Sequence, residues 1–361
     1  MGNNSRENIK VILRELRKED AEMIYEWQNS ENIVRFSSSQ RKVSIEEHNK
    51  WIDSILGSHE KLVYIIEINN KSIGQIRFEK TSSSGDEVIV SIYFIVGFTG
   101  KGFGSLAMEQ GIYKIFEKWK EINCIKAHVR KDNIQGIKFF QKQGFKLYGT
   151  DVEDTHYIYV LQINEYNAKK NRDYYSKLVK IYGNDIRSLN WGSRASQELR
   201  FKIFTEIGDL QGKKILDVGC GLCDFYEYLT RNKIYVDYKG IDITPEMIEL
   251  SQKRFPELKL EIKDILVEKE VETYDYVFAS GIFYLIEVAP SDFMKKMIKT
   301  MFELTNFGLA FNSLSAWASQ KEEKEFYAEP TEVINFCRSL TNKIIFKHHY
   351  HPADFTIFLY K

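Results

Sequence analysis

The chain has 361 residues, more than one core of roughly 100–200 residues needs, and it is 43% hydrophobic and 28% charged, which excludes a disordered composition. Lys+Arg and Asp+Glu both total 51, with 23 of each in residues 1–165 and 28 of each in 166–361. Neither half therefore has the basic field on which phosphate-backbone binding depends, and a nucleic-acid partner is not expected. Four cysteines in such a chain do not make a disulfide framework, and no run approaches the ~20 apolar residues of a membrane span. Met1-Gly2 opens like a myristoylation signal, but Arg6 stands where that signal wants Ser or Thr. The expectation is a soluble, reduced, cytoplasmic protein with no membrane span. Aromatics reach 14%, with 24 Phe and 21 Tyr, which predicts a Phe-rich core ahead of sugar-stacking surface platforms.

In chain order, residues 11–13 form a short apolar run, and Lys18-Glu19-Asp20 starts a helix through Ile24 and Trp27. Ser37-Ser38-Ser39 reads as a loop between helices. Ser44 followed by Glu47 is a capping box that opens a helix through Trp51 and Ile55. Residues 63–68, 73–78 and 88–96 read as strands, with Ser82-Ser83-Ser84-Gly85 as a hairpin turn. A long helix over 102–119, a strand over 125–129, a helix over 133–143 and a strand over 157–163 complete the first domain. The polar, aperiodic stretch 164–173 is the linker candidate. Helices surround Trp191-Gly192-Ser193, and strand–helix alternation from Lys214 predicts a mostly parallel sheet wrapped by helices. The division is 1–165 and 166–361.

Within the first domain, Gly97-Phe98-Thr99-Gly100-Lys101-Gly102-Phe103-Gly104-Ser105 runs from a strand straight into a helix. Alternate glycines at 100, 102 and 104 let successive backbone N–H groups converge on an anion at a helix N-terminus. The spacing does not fit a dinucleotide-binding fingerprint, which needs an acidic residue about 20 positions later. Further along comes Asn133-Ile134-Gln135-Gly136, with Gln143-Gly144-Phe145 after it.

On these residues, 9–163 resembles the GCN5-related N-acetyltransferases (GNAT), and most closely those acting on the 4-amino group of nucleotide-linked amino sugars. Trp27-Gln28-Asn29, Arg35, Ile45-Glu46-Glu47-His48, Trp51 and Gly74-Gln75-Ile76-Arg77-Phe78 carry the sugar likeness. The resemblance implies acetyl-CoA as cofactor, with its pyrophosphate on Gly100, Lys101, Gly102, Phe103, Gly104 and Ser105, and Asn133 beside it. It also implies a splayed strand whose backbone N–H near Ile95 and Val96 meets the thioester oxygen. Relatives often protonate the leaving thiolate with a Tyr four residues before the Gly-Phe pair, and here that position is Phe140. Thr99 stands where relatives often carry Arg or Gln. His128, sharing a strand face with Lys126 and Arg130, or His48, on the helix roofing the acceptor, is the candidate base, against a purely structural hydrogen-bonding role for each.

In the second domain, Lys214-Ile215-Leu216-Asp217-Val218-Gly219-Cys220-Gly221-Leu222-Cys223-Asp224 is an apolar strand ending in Asp and a glycine turn. Ile241-Asp242 ends the next strand, Asp264-Ile265 closes the third, and Ser280-Gly281 the fourth. This order resembles the class I S-adenosylmethionine-dependent methyltransferases over about 174–361. The resemblance implies that Gly219 and Gly221 face the methionine part of S-adenosylmethionine, that Asp242 takes the ribose, and that Asp264 and Ile265 meet the adenine, with Asp217, Cys220 and Ile243 also among the cofactor-binding residues. Ser280 and Gly281 would face the methyl site. The third glycine of the motif is Cys223.

Cys220-x-x-Cys223 admits a redox or zinc reading, but no second cysteine pair accompanies it, and no metal is expected. Asn190-Trp191-Gly192-Ser193-Arg194, with Gln197 and Arg200-Phe201, resembles a lid, where Arg200 or Arg194 holds a carboxylate or simply forms surface salt bridges. His348-His349-Tyr350-His351 lies between the last two strands. His349 or His351 is the candidate base for methylation, with a metal site or plain surface as alternatives.

The expected fold class is α/β: an N-terminal GNAT α/β domain and a C-terminal Rossmann-like, seven-stranded methyltransferase domain. The expected function is bifunctional: N-acetylation of a small amino sugar, nucleotide-linked, and methylation of the same or a related sugar, in bacterial surface-glycan biosynthesis. The alternatives are a protein, ribosomal or antibiotic amine as acceptor, or a non-catalytic GNAT-like module on an active methyltransferase. The oligomeric state is left open.

Overall fold

A computed structural model describes residues 10–37, 39–81 and 85–361. Met1-Gly2, Arg6, Ser38 and 82–84 thus lie outside the described residues, and with them the myristoylation pattern and the tip of the serine turn. The chain divides into two compact units, Met1–Tyr166 and Asn167–Lys361.

The first unit opens with β1 (Val11–Glu15), α1 (Ala21–Gln28), α2 (Glu31–Phe36) and α3 (Ile45–Leu56). Ser44 caps α3 by accepting from Glu47 N, and the Glu47 side chain accepts in return from Ser44 N. The short helix α2 has no counterpart in the sequence reading; its six residues are too few to show a periodicity. Then follow β2 (Lys61–Ile68), β3 (Lys71–Lys80), β4 (Glu87–Phe94), α4 (Phe103–Lys118), β5 (Cys124–Arg130), α5 (Ile134–Lys142), β6 (Lys146–Thr150) and β7 (His156–Gln162). Strand β6, mostly exposed, also escapes the sequence reading. These strands form one seven-stranded sheet in the order β1-β2-β3-β4-β5-β7-β6.

Only β4 and β5 pair in parallel, and only from Glu87–Cys124 to Ile89–Lys126. Beyond that point the two strands part, leaving a cleft through the middle of the sheet. On one face, Ile24 of α1 and Ile52 of α3 pack on Ile65 of β2. On the other, α4 lies so close to β3 that a Cβ on Gly111 would sit 2.7 Å from the Phe78 ring.

The boundary between the units falls within α6 (Ile163–Tyr182). The stretch 164–173, expected as a linker, is helical throughout. Its Ala, Glu, Lys and Arg residues are strong helix formers, and Lys169 pairs with Asp173 one turn on. Asn167 spends its side-chain amide on both backbone groups of Val288, which accounts for a buried polar residue where periodicity would ask for an apolar one.

The second unit continues with α7 (Arg194–Phe204), β8 (Lys214–Val218), α8 (Asp224–Arg231), β9 (Asp237–Asp242), α9 (Pro245–Arg254), β10 (Lys259–Ile262), β11 (Tyr274–Ala279), α10 (Pro290–Glu303), β12 (Thr305–Leu314), α11 (Pro330–Leu340), β13 (Ile344–Lys347) and β14 (Asp354–Tyr360). The sheet order is β10-β9-β8-β11-β12-β14-β13, with β14 antiparallel to both neighbours. Strand order reverses at β8, which places a crevice at the carboxyl ends of β8 and β11. The cores on either face of this sheet are rich in Phe, including Phe204, Phe225 and Phe278 on one side and Phe283, Phe311 and Phe355 on the other. Among the described residues no helix is long and apolar enough to cross a membrane.

Gly111→Leu should overpack the α4–β3 contact and destabilise the first unit by about 1–3 kcal/mol. Urea denaturation of the full chain checks this as a lowered midpoint; an unchanged midpoint would mean that Phe78 moves aside freely.

Candidate functional site

The cleft in the first sheet follows from hydrogen-bond parity. Ile95 N donates to Ile73 O at 2.9 Å, so 95–73 is a bonded pair, and so are Tyr93–Gln75 and Ser91–Arg77 in the same register. The N–H groups of Ile92 and Phe94 must then point the other way, into the gap where β5 has diverged. This corrects the expectation for Ile95, whose N–H is already spent. Val96, exposed, follows the end of the strand. Strand parity was the signal that could have singled out Ile92 and Phe94.

At the mouth of the cleft, Gly100 and Gly102 have φ of 74° and 89°, and Gly102 is the N-cap of α4. This left-handed backbone turns the N–H groups of the loop outward at the positive end of a 16-residue helix. The Lys101 and Lys71 ammonium groups both sit over the Phe98 ring, at 5.5 and 5.2 Å. Phe103 and Gly104 open the helix; a Cβ on Gly104 would meet Phe139 of α5 at 2.9 Å. Ser105 accepts from Gln143 Nε2. Asn133 caps α5 through Gly136 N, and Phe140 is buried between Phe139 and Phe145 as aromatic packing.

The two histidines of this unit differ sharply. His48 is 1% exposed, its Nε2 donating to Ala21 O at 2.7 Å and its Nδ1 3.2 Å from Gln28 Oε1. It ties α3 to α1 and is closed to any acceptor, which corrects its candidacy as a base. His128 is exposed on β5, across the gap from β4. Desolvation of its inner side, and then the neighbouring His156, lower its pKa below the ordinary imidazole value. On the same face of the sheet, Tyr93 donates its hydroxyl to Gln75 Oε1 and meets Trp27 edge-on, and Arg77 lies over the Trp51 ring. Burial pushes the Tyr93 hydroxyl well above its usual range, so it stays protonated.

In the second unit a pocket of about 1120 Å³, open to solvent, occupies the crevice. Asp217, Gly219, Cys220, Gly221, Asp242, Ile243, Asp264, Ile265, Ser280 and Gly281 all line it. Gly219 and Gly221 have φ of 74° and 53°, and Cys223, in the third glycine position, also adopts φ 59° and is fully buried. Both Asp242 oxygens are fixed by backbone, Oδ2 accepting from Gly221 N at 3.0 Å and Oδ1 from Thr244 N at 2.8 Å. Burial raises the Asp242 pKa, against these hydrogen bonds. Asp217 accepts from Tyr238 OH at 2.6 Å, and burial pushes it up to about 7.

Asp264 accepts from Leu266 N. Asn312, absent from the sequence reading, holds the far wall by accepting from Gly281 N and donating to Ser280 Oγ. Above it, Trp191 lies against Gly281, and Tyr175, Tyr284 and Asn190 form a hydroxyl–amide cluster with contacts of 2.7 and 3.1 Å. None of these had a motif to mark it except Asn190 and Trp191.

Arg200 does not line the pocket. It is 3% exposed, paired with Asp354 and bonded to Ser196, with its guanidinium 4.8 Å from the Trp191 ring centre. Its place is behind Trp191, so its assignment to a cofactor carboxylate is corrected: the charge is already neutralised. Arg194 pairs with Glu227 and Glu198. His349 is exposed, and His351 accepts from Ala353 N with its pKa lowered by desolvation and then by Arg200. Neither lines the pocket, so the base assignment for either is also corrected; the turn that carries them folds against Asp354 and Ser315 instead. All four cysteines are free and buried, and no group of three or more His, Cys, Asp or Glu among the described residues is arranged to hold a metal.

Residues 10–146 match the model of the acetyltransferase (GNAT) domain, and residues 209–352 that of a methyltransferase domain. Acetyltransferase PseH of Campylobacter jejuni is 28% identical over 142 residues, which is 39% of this chain and 87% of the relative. The putative methyltransferase Rv1506c of Mycobacterium tuberculosis is 29% identical over 154 residues, 41% of this chain and 92% of the relative. The crystal structure of C. jejuni PseH aligns with a TM-score of 0.32 at 24% identity, covering 43% of this chain and 97% of that one. Acetyl-CoA and S-adenosylmethionine are the cofactors of such domains. The chain is an enzyme that joins a GNAT acetyltransferase domain, over residues 10–146, to a methyltransferase domain, over residues 209–352.

Proposed function

We propose that the chain is bifunctional, with one active site per unit: N-acetylation of an amino sugar carried on a nucleotide, and methylation of the same or a related sugar, in the cytoplasmic steps of surface-glycan synthesis. The observation that carries it is that each sheet has its own ligand-sized break in its pairing: the β4–β5 gap beside the glycine loop, and the pocket at the ends of β8 and β11, where Gly219, Gly221 and Asp242 line the wall. The likeness to PseH and the residues Trp27, Gln75, Arg77 and Trp51 on the acceptor face support the sugar.

Acetyl-CoA supplies an activated acetyl group, and S-adenosylmethionine an activated methyl group. In the first unit the N–H groups of 100–104 would hold the pyrophosphate and Lys101 would add charge, the Ser105 N–H being spent on Gly102 O. The Ile92 and Phe94 N–H groups receive the amide chain and the oxygen on which charge develops. His128 removes the proton of the attacking amine from the open side of the cleft. Phe140 has no proton to give, so the proton for a leaving thiolate would have to come from another group or from solvent. In the second unit Asp242 would take the ribose hydroxyls, Asp264 and Ile265 the adenine, and Asp217 the charged tail, while Ser280, Gly281 and Trp191 would shape the methyl site.

Incubation with each cofactor and a panel of nucleotide-linked amino sugars, followed by mass spectrometry, tests the reading. It expects a product carrying one acetyl and, with both cofactors, one methyl group. Acetylation of peptides but not sugars would replace the sugar assignment, and bound acetyl-CoA without turnover on any amine would make the first unit a binding module.

Asp242→Ala should weaken methyl-donor binding by about 100-fold or more, since it removes charge-assisted ribose contacts, and leave acetyl-CoA binding intact. Loss of both in calorimetry would contradict separate sites. A cationic ligand favours ionised Asp217, so methyl-donor affinity should fall as pH drops below about 7, where that carboxyl is neutral and binding must expel its proton. Affinity that stays flat from about pH 6 to about pH 8 would remove Asp217 from the site. His128→Ala should slow acetyl transfer by about 10²–10⁴-fold. In wild type the acid limb of the rate profile should lie below the ordinary imidazole value, because the neutral ring persists to lower pH. A limb that survives the substitution unchanged would dismiss His128 as the base.

A further inference from the structure

Gln197, on α7, is 2% exposed and lines the pocket of the second unit. Its Nε2 donates to Asp224 Oδ2 at 3.1 Å, while its Oε1, fully buried, has no hydrogen-bond partner among the described residues. Reversing the amide would set its oxygen against the Asp224 carboxylate and free a donor instead, so the network fixes the carbonyl as the unpaired end of the amide. An amide oxygen held dry and unpaired is costly, and such a group in a native fold calls for a partner that arrives with a ligand.

The surroundings identify that partner as a cation. Asp224 polarises the amide, and its other oxygen is taken by Arg254 at 2.8 Å, with Arg194 at 3.7 Å. Asp217 stands on the same pocket wall, close enough to Asp224 for the two carboxyls to interact. This end of the pocket therefore presents acceptors. Of the donor groups on S-adenosylmethionine, the ribose hydroxyls go to Asp242 and the adenine amine lies at the Asp264 end. The α-ammonium of the amino-acid tail is the donor that remains.

We propose that Gln197 Oε1 receives this ammonium, with Asp224 holding the amide in the orientation that makes it an acceptor. The inference rests on the methyl-donor reading of the pocket and adds to it a residue on the lid helix, so that the tail of the cofactor docks α7 onto the glycine loop.

Calorimetry on the full chain tests it with three ligands: S-adenosylhomocysteine, its deamino analogue, and methylthioadenosine, which has no amino-acid tail. Wild type should prefer S-adenosylhomocysteine over the deamino analogue by about 10–100-fold. Gln197→Ala and Gln197→Met should each shrink that preference about tenfold or more and leave methylthioadenosine binding as it was. An undiminished preference in either variant that still binds methylthioadenosine overturns the proposal, and so does wild type binding the two tailed ligands equally well. Should Gln197→Ala lose methylthioadenosine through misfolding, Gln197→Met, which preserves the volume, decides. Wild type binding none of the three would overturn the methyl-donor reading itself, and this inference with it.

Discussion

Backbone N–H groups are obligatory donors, and a sheet that stops pairing must offer them to something else. Both units are organised around that constraint. In the first, β4 and β5 run together for three paired residues and then part, so that every second amide of β4 faces the gap. In the second, the order reverses at β8, and the loop after it turns its amides back on Ile241 and Asp242 before the chain enters α8.

The two breaks are charged in opposite senses. The loop at 100–105 sits at the positive end of α4, with Lys71 and Lys101 gathered at Phe98, and suits an anion. The pocket at 219–224 is lined by Asp217, Asp224, Asp242 and Asp264, with Lys263 engaged by Glu270, and suits a cation. Burial keeps Asp217 and Asp242 from ionising easily, which is the cost of a site whose carboxylates strengthen when a positive ligand stands beside them.

How far the sequence revealed this depends on whether a role is played by backbone or by side chain. Gly100, Gly102, Gly219 and Gly221 were legible because only a few residue types tolerate positive φ at a tight approach, and the strand-end acids Asp217, Asp242 and Asp264 because strand ends are marked by apolar runs. The histidines and Arg200 were not. His48 and His128 look alike in the chain, yet one has both ring nitrogens tied to α1 and the other is exposed on β5. Arg200 sits in a lid-like motif, but its partner Asp354 is 154 residues away, and no local pattern announces a pair formed at that separation. Ile95 failed for a subtler reason: a one-residue error in parity exchanges a free amide for a spent one.

This opposition of charge bears on how two transferase domains in one chain would keep their cofactors apart. A pyrophosphate brought near Asp217, Asp224 and Asp242 would meet carboxyl groups, and among the described residues the one lysine lining the pocket, Lys263, is already paired with Glu270. A sulfonium nucleoside at 100–105 would face N–H groups and the Lys101 ammonium, which offer it nothing to donate to. Adenine, common to both cofactors, therefore cannot decide the site; the groups at the other end of each molecule do. Discrimination of this kind needs no contact between the units and no ordering of the two reactions, only that each break in backbone pairing keep its own sign.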